Sequence, residues 1–268
     1  LHETLVWETP VAKQAAARRA RHALMASALR ARGGTHLLLG HTQDDQCETF
    51  LMRARQGSGW YGLAGIQPLA MSPVWPDGAG VLLARPVLAQ SRHSLRDLLK
   101  ARGMNWVEDP SNRNIMFERI RMREVLTLHP EIRKRVLSCQ NRCQRLRSLE
   151  EFLIARWMGT HVKTGPEDGF VLCLAGLPGE RAERALGLML QIAGDRETPP
   201  RRDSLQSLTK RLISDRTFNG ATLGGVRIQR KAGDIYLTPE PATARSTVDF
   251  ARSEARFAGQ MALFQANA

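Results

Sequence analysis

Several shortages in the 268-residue sequence narrow its class at once. It has only four cysteines, Cys47, Cys139, Cys143 and Cys173, scattered and without a Cys-x-x-Cys pair. That is too few for a disulfide-built scaffold and argues against a thiolate metal site. The most apolar runs, 37–39 and 81–84, fall far below the ~18 residues that span a bilayer, and no secretory signal opens the chain. A cytoplasmic protein with no membrane partner is therefore expected. Acid is also scarce: 39 Lys and Arg against 26 Asp and Glu leave 39 − 26 = +13, an excess that points to a polyanion such as nucleic acid. There is no initial Met either; the chain opens at Leu1 in what reads as the middle of a structure. What remains, 43% hydrophobic and 24% charged residues, is ordinary globular composition with material for one large or two smaller cores.

Residues 13–32 are rich in Ala and Arg, contain no Gly or Pro, and stop at Gly33-Gly34, which predicts a helix. Residues 35–40 predict a short buried strand in a sheet covered on both faces. Residues 44–55 predict a second helix, with Asp44 and Asp45 in its first turn and Arg53 and Arg55 in its last, as the helix dipole favours. Helix, strand and helix in this order are the rhythm of a parallel α/β sheet. A strand over 81–88 and a helix over 94–102 follow. After Pro130 comes a long amphipathic helical stretch, 131–158, then helices over 176–193 and 204–213 and an alternating hairpin over 225–237. The predicted division is a sheet domain over 1–130, a linker helix over 131–165, a smaller and mostly helical second domain over 166–240, and a tail of little periodicity over 241–268.

His41, Asp44, Asp45 and Glu48 fall where the predicted strand ends and the next helix starts, the edge at which open α/β sheets bind ligands. Asp45 and Glu48, three apart, share one helical face. Two such carboxylates suit an ammonium group, a metal ion or proton transfer from an amine, but they equally suit helix capping, and spacing alone leaves both readings open. Gly57-Ser58-Gly59-Trp60-Tyr61-Gly62 matches the dinucleotide fingerprint formally. The match fails because a helix precedes it where a strand is required, so a tight loop is predicted. Arg18 and Arg21, three apart on the first helix, suit an anion or simply a solvated basic face. Cys139 and Cys143, with His129, supply too few ligands for a metal site, and none is predicted. Residues 113–156 hold eleven basic and five acidic side chains, 11 − 5 = +6, which suits a phosphate-backbone track with little aromatic interleaving.

In order along the chain come Gln14 to His22, with Arg18 and Arg21; Gly40-His41-Thr42-Gln43-Asp44-Asp45-Gln46-Cys47-Glu48-Thr49; Arg55 to Gly65; Arg85-Pro86; Trp106-Val107-Glu108-Asp109-Pro110-Ser111-Asn112; and Phe117-Glu118-Arg119-Ile120-Arg121-Met122-Arg123. This series resembles the tRNA(Ile)-lysidine synthase family of PP-loop ATP pyrophosphatases, closely from Leu1 to about Pro130. The likeness is weaker at Pro199-Pro200-Arg201 and 221–225, which resemble that family's second, tRNA-binding domain. The resemblance implies an adenine nucleotide alpha hydrolase-like fold and an ATP-dependent ligase. Such an enzyme adenylates C2 of the wobble cytidine of a CAU-anticodon tRNA(Ile) and lets the side-chain amine of free lysine displace AMP. It implies Asp45, Glu48 and His41 as catalytic residues, and Arg18, Arg21, Asp44, Arg119, Arg121 and Arg123 as substrate-binding. ATP as substrate, Mg2+ and a homodimer are implied too.

The family's Ser-Gly-Gly-x-Asp-Ser loop occurs nowhere in the 268 residues, and Ile120 and His22 stand where many members carry Asn and Tyr. The expectation is therefore a PP-loop domain incomplete at its N-terminus, with an open sheet edge, and inactive as it stands. Two alternatives remain: a non-catalytic tRNA-binding relic of the fold, and a tRNA thiolation enzyme of the same superfamily.

Overall fold

A computed structural model describes residues 2–11, 13–108, 116–165, 169–215, 217–240 and 250–267. Helix α1 (Gln14–Arg30) leads through a glycine turn, Gly33 at φ +67°, into strand β1 (His36–Leu38). Helix α2 (Gln43–Arg55) follows, then the single-turn helix α3 (Trp60–Leu63) inside the glycine segment. Strands β2 (Leu69–Met71) and β3 (Leu82–Ala84) complete a sheet of order β1-β3-β2. β1 runs parallel to β3, with Leu37 opposite Leu83. β2 runs antiparallel to β3, so the predicted parallel sheet is mixed. The connection from β2 to β3 is too short for a crossover helix, and only an antiparallel return fits such a link. The expectation that 35–40 is covered on both faces is also corrected: β1 is the outer strand and its Leu38 is 68% exposed.

Helices α4 (Arg92–Ala101), α5 (Glu118–Leu128) and α6 (Pro130–His161) come next, with Pro130 in the first turn of α6, where its missing N–H costs nothing. α2 packs against α5 and α6 through Cys47, Phe50, Leu126 and Val136. Gln140 of α6 reaches back to Gln46 of α2 (Nε2 to Oε1, 2.7 Å), and Gln46 exchanges two hydrogen bonds with the Ile66 backbone. This lock requires glycine at 65: its φ is +73°, and a Cβ there would meet Gln140 Nε2 at 2.1 Å.

The segment expected to be mostly helical instead carries a five-stranded antiparallel sheet. Its strands are β4 (Val162–Gly165), β5 (Gly169–Leu172), β6 (Ala221–Leu223), β7 (Val226–Lys231) and β8 (Asp234–Pro239), in order β4-β5-β8-β7-β6. Helices α7 (Gly179–Ala193) and α8 (Arg202–Ser214) accompany it. Strands of three or four residues are too short to show a period of two, so the helices dominated the pattern. The largest core lies here, with Phe170, Leu172, Leu186, Met189, Ile228 and Leu237 against Met158 of α6.

Where a tail of little periodicity was expected, helix α9 (Phe250–Ala266) packs on α6, α7 and β2. Leu263 and Phe264 are buried, and Ser253, fully buried, donates its hydroxyl to the Ile192 carbonyl at 3.1 Å. Its small residues hide the helical period from a hydropathy reading while allowing close approach. Among the described residues, no helix is long and apolar enough to cross a membrane.

Candidate active site

The first turns of α2 present three carboxylates, and arginines from three other helices converge on them. Asp45 Oδ2 accepts from its own helix start, Thr42 N–H at 2.7 Å and Thr42 Oγ1–H at 2.9 Å. That leaves Oδ1 facing Arg119 at 3.3 Å and Arg92 at 3.7 Å. Glu48, one turn on, is fully buried: Oε2 accepts from Arg119 Nε and Oε1 from Arg123 Nε, both at 2.7 Å, with Arg92 4.0 Å away. A buried carboxylate persists only when paired and hydrogen-bonded, and here two guanidiniums meet that need. Arg119 and Arg123, four apart on α5, project from one helical face to bracket it. Asp44, on the flank, accepts from Arg133 Nη1 at 2.8 Å and from the Arg92 backbone N–H at 2.7 Å, which ties α6 and the start of α4 to α2. Burial alone would push the Asp44 carboxyl up, but these bonds and the Arg133 and Arg92 charges outweigh it and hold it below the usual range.

A second cluster sits behind the β1–α2 turn. His22 of α1 is buried, and its Nδ1 has no hydrogen-bond partner; His41 Nδ1 and Arg85 Nε are likewise unpartnered. Burial lowers both histidine pKa values, and Arg18 and Arg85 lower them further, with Arg21 acting on His22 and Arg119 on His41. Burial and the neighbouring Arg18 charge also lower Arg85. Among the described residues, Arg18 and Arg21 make no ion pair or side-chain hydrogen bond, and both side chains are exposed. Exposed guanidiniums of this kind suit an oxyanion.

The structure thus brings Asp44, Asp45, Glu48, Arg119 and Arg123 into one cluster and sets His41, Arg18 and Arg21 in the adjoining basic one. Arg121 does not join them: its side chain is exposed and donates to the Met116 carbonyl at 3.0 Å. Arg119 and Arg123 lie on one face of α5, and Arg121 lies on another. Residues 109–112 of the Glu-Asp-Pro-Ser-Asn motif lie outside the described residues, except that Glu108 pairs with Arg96 and accepts from Trp106 Nε1 at 2.9 Å. Reading the sequence missed Arg92 and Arg133. Arg92 follows the Ser91 helix cap, whose hydroxyl accepts from Ser94 N–H, and that cap was the local signal. Arg133 looked like one charge among many on a basic helix. Cys139 is exposed and Cys143 buried, and both are free. Among the described residues no group of three or more His, Cys, Asp or Glu side chains is placed to hold a metal ion.

Residues 6–131 match the PP-loop domain family. The chain is 51% identical over 241 residues to a protein named tRNA(Ile)-lysidine synthase from Hyphomonas neptunium, covering 89% of this chain and 65% of the relative. It is 36% identical to the protein of that name from Caulobacter vibrioides over 80% of this chain, and 35% identical to the one from Brucella anthropi over 85%. It spans 46% and 52% of the length of those two relatives, so the chain covers between about half and two thirds of the curated proteins it matches.

Proposed function

We propose that this chain, whose residues 6–131 match the PP-loop domain family and which is similar over most of its length to tRNA(Ile)-lysidine synthases, serves the ATP-dependent attachment of free lysine to the wobble cytidine of a CAU-anticodon tRNA(Ile). The observation that carries this reading is the pair of carboxylates Asp45 and Glu48 held in a ring of arginines at the head of α2. A free lysine amine, with its ordinary pKa near 10.4, arrives protonated and must be oriented and relieved of a proton before it attacks.

The two carboxylates divide that task. Asp45 keeps one oxygen for the helix cap and turns the other toward the opening, where Arg119 and Arg92 face it. Its Oδ1 is the acceptor for the incoming ammonium, which takes the place of Arg119, the most exposed guanidinium of the cluster. Glu48, fully buried, is a positioning residue that sets Arg119 and Arg123. Arg18, Arg21, His22, His41 and Arg85 form the anion side, suited to the carboxylate of lysine or to phosphate. The PP-loop family implies ATP, and the exposed Arg18 and Arg21 guanidiniums, which make no ion pair among the described residues, fit a phosphate group. When bound, ATP supplies the activation that makes AMP a leaving group.

The test joins the family's Ser-Gly-Gly-x-Asp-Ser segment to the chain ahead of Leu1 and supplies tRNA, ATP and labelled lysine. Pyrophosphate release with lysine-dependent AMP release and label on the tRNA supports the reading. Pyrophosphate release with no dependence on lysine removes the lysidine assignment. tRNA binding with no pyrophosphate release in any arm favours a binding protein that has lost the chemistry.

A further inference from the structure

Helix α4 has no buried side chain, although its apolar and charged residues segregate sharply onto opposite faces. Leu98 on α4 is 47% exposed, and the segment after the helix continues this surface: Met104 is 53% exposed, Trp106 37% and Val107 94%, and Phe117, just before α5, is 43% exposed. Cations surround these groups. Residues 92–108 carry Arg92, Arg96, Lys100 and Arg102 against Asp97 and Glu108, 4 − 2 = +2. The Trp106 ring is fixed in place: its indole N–H donates to Glu108 Oε1 at 2.9 Å, Glu108 also pairs with Arg96, and the Arg96 guanidinium carbon lies 5.6 Å from the ring centroid. This ring is tied to the acidic cluster by α4 itself. Arg92, its first residue, faces Asp45 and Glu48, and Arg96 stands one turn further along, a rise of about 6 Å.

We infer that Trp106 and Arg96 form a stacking platform for an unpaired RNA base, placed one to two helical turns from the Asp45–Glu48 cluster, where it seats the nucleotides next to the reacting one. An aromatic face held by hydrogen bonds and flanked by guanidinium and ammonium groups is how single-stranded nucleic acid is gripped: bases stack on the ring while phosphates meet the cations. An RNA strand carries a phosphate at every nucleotide for Lys100 and Arg102, which complements the net positive charge of this surface. A paired duplex hides its base faces, so the platform prefers looped RNA. The inference rests on the tRNA reading above and adds the residues that would discriminate loop from duplex.

The test uses the full chain and two fluorescein-labelled RNAs, a hairpin whose loop carries CAU and a fully paired duplex of the same length, read by fluorescence anisotropy over a range of salt. Wild-type chain is expected to bind the hairpin more tightly. Trp106→Ala weakens hairpin binding by about tenfold or more, leaves duplex binding unchanged, and keeps the salt slope, because no phosphate contact is lost. Trp106→Phe, which keeps a ring but loses the hydrogen bond to Glu108, retains part of the hairpin affinity, whereas Trp106→Leu, which keeps the apolar bulk without the ring, behaves like Trp106→Ala, and this holds the test open if the alanine variant folds poorly. Equal hairpin affinity in wild type, Trp106→Ala and Trp106→Leu overturns the platform. Unchanged hairpin affinity with a wild-type oligomer that dissociates in Trp106→Leu, seen by light scattering, also overturns it and makes the surface an interface between copies. A wild-type chain that binds neither RNA defeats both the platform and the tRNA reading, whereas hairpin binding insensitive to Trp106 defeats the platform alone.

Discussion

Replacing Glu48 by Gln is the most searching test of the arginine clamp, because it removes one charge and almost no volume. In the native chain the buried carboxylate accepts two charge-assisted hydrogen bonds of 2.7 Å, from Arg119 and Arg123. Each such bond contributes about 1.5–3 kcal/mol net, and breaking a buried ion pair from one side commonly costs about 3–5 kcal/mol. Two features reduce that figure here. Arg119 and Arg123 are 40% and 29% exposed, so water takes over part of their solvation once the charge is gone. Gln also keeps one acceptor oxygen, which retains one of the two bonds, while its NH2 opposes the other guanidinium, donor against donor.

The expected loss is about 2–3 kcal/mol. With a urea slope of about 3 kcal/mol per molar, the unfolding midpoint falls by about 0.7–1 M. Arg119→Gln alone costs less, because Arg123 still satisfies Glu48. The double variant shows a coupling of at least about 0.5 kcal/mol between the two sites. A midpoint shift below about 0.2 M for Glu48→Gln, or a coupling indistinguishable from zero, would falsify the clamp as the organiser of this site.

Asp45→Asn is expected to weaken binding of free lysine, measured by calorimetry, by tenfold or more, while costing at most about 1 kcal/mol of stability, since the amide oxygen still accepts from the Thr42 cap. The pH profile of stability carries a signature of the basic cluster. His22 and His41 have lowered pKa values in the folded chain, so the unfolded chain binds more protons below its own value of 6.5, and stability is lost as pH falls from 6.5 through the folded values. His41→Asn should flatten that slope in thermal melts, and an unchanged slope would remove His41 from the account. Gly65→Ala, facing both a left-handed backbone and a 2.1 Å approach to Gln140, should destabilise by more than Gly103→Ala, whose φ of +65° is matched by open space and costs about 1 kcal/mol.

The candidate site was legible in sequence wherever its residues lie close together along the chain. Asp44, Asp45 and Glu48 sit within five residues of one another on a helix whose caps and charges announce it, and the Arg119 and Arg123 face follows from four-residue spacing. What could not be read is the convergence of distant chain. Nothing about Arg133 distinguishes it from Arg135 or Arg142 until α6 is laid across α2 and Asp44 is found 2.8 Å away. Arg92 carries only the Ser91 cap as a local signal, because its backbone N–H serves Asp44 while its guanidinium faces Asp45 and Glu48. The second sheet was obscured because β4, β5 and β6 are three or four residues long, and α9 because burial by Ala, Gly and Ser depends on close approach, which hydropathy does not measure.

The cluster's charge balance limits how any cationic substrate can enter it. Asp44, Asp45 and Glu48 face Arg92, Arg119, Arg123 and Arg133, so three negative groups meet four positive ones, 4 − 3 = +1. An ammonium cannot simply be added to a site already in positive excess; an arginine must withdraw to make room. Glu48 resists giving up either partner because it has no access to water, and Asp44 is committed at both oxygens. Asp45 has the one oxygen whose cation contacts are long, 3.3 and 3.7 Å, and Arg119 beside it is exposed enough for its Nη2 to turn away from Asp45 while its Nε stays on Glu48. The proposed amine therefore enters by exchange at Asp45. Arg119→Lys should test this by competing differently for the same oxygen: a shorter reach to Asp45 and no bidentate hold should make lysine binding tighter, whereas weaker binding would mean that Arg119 grips the substrate itself.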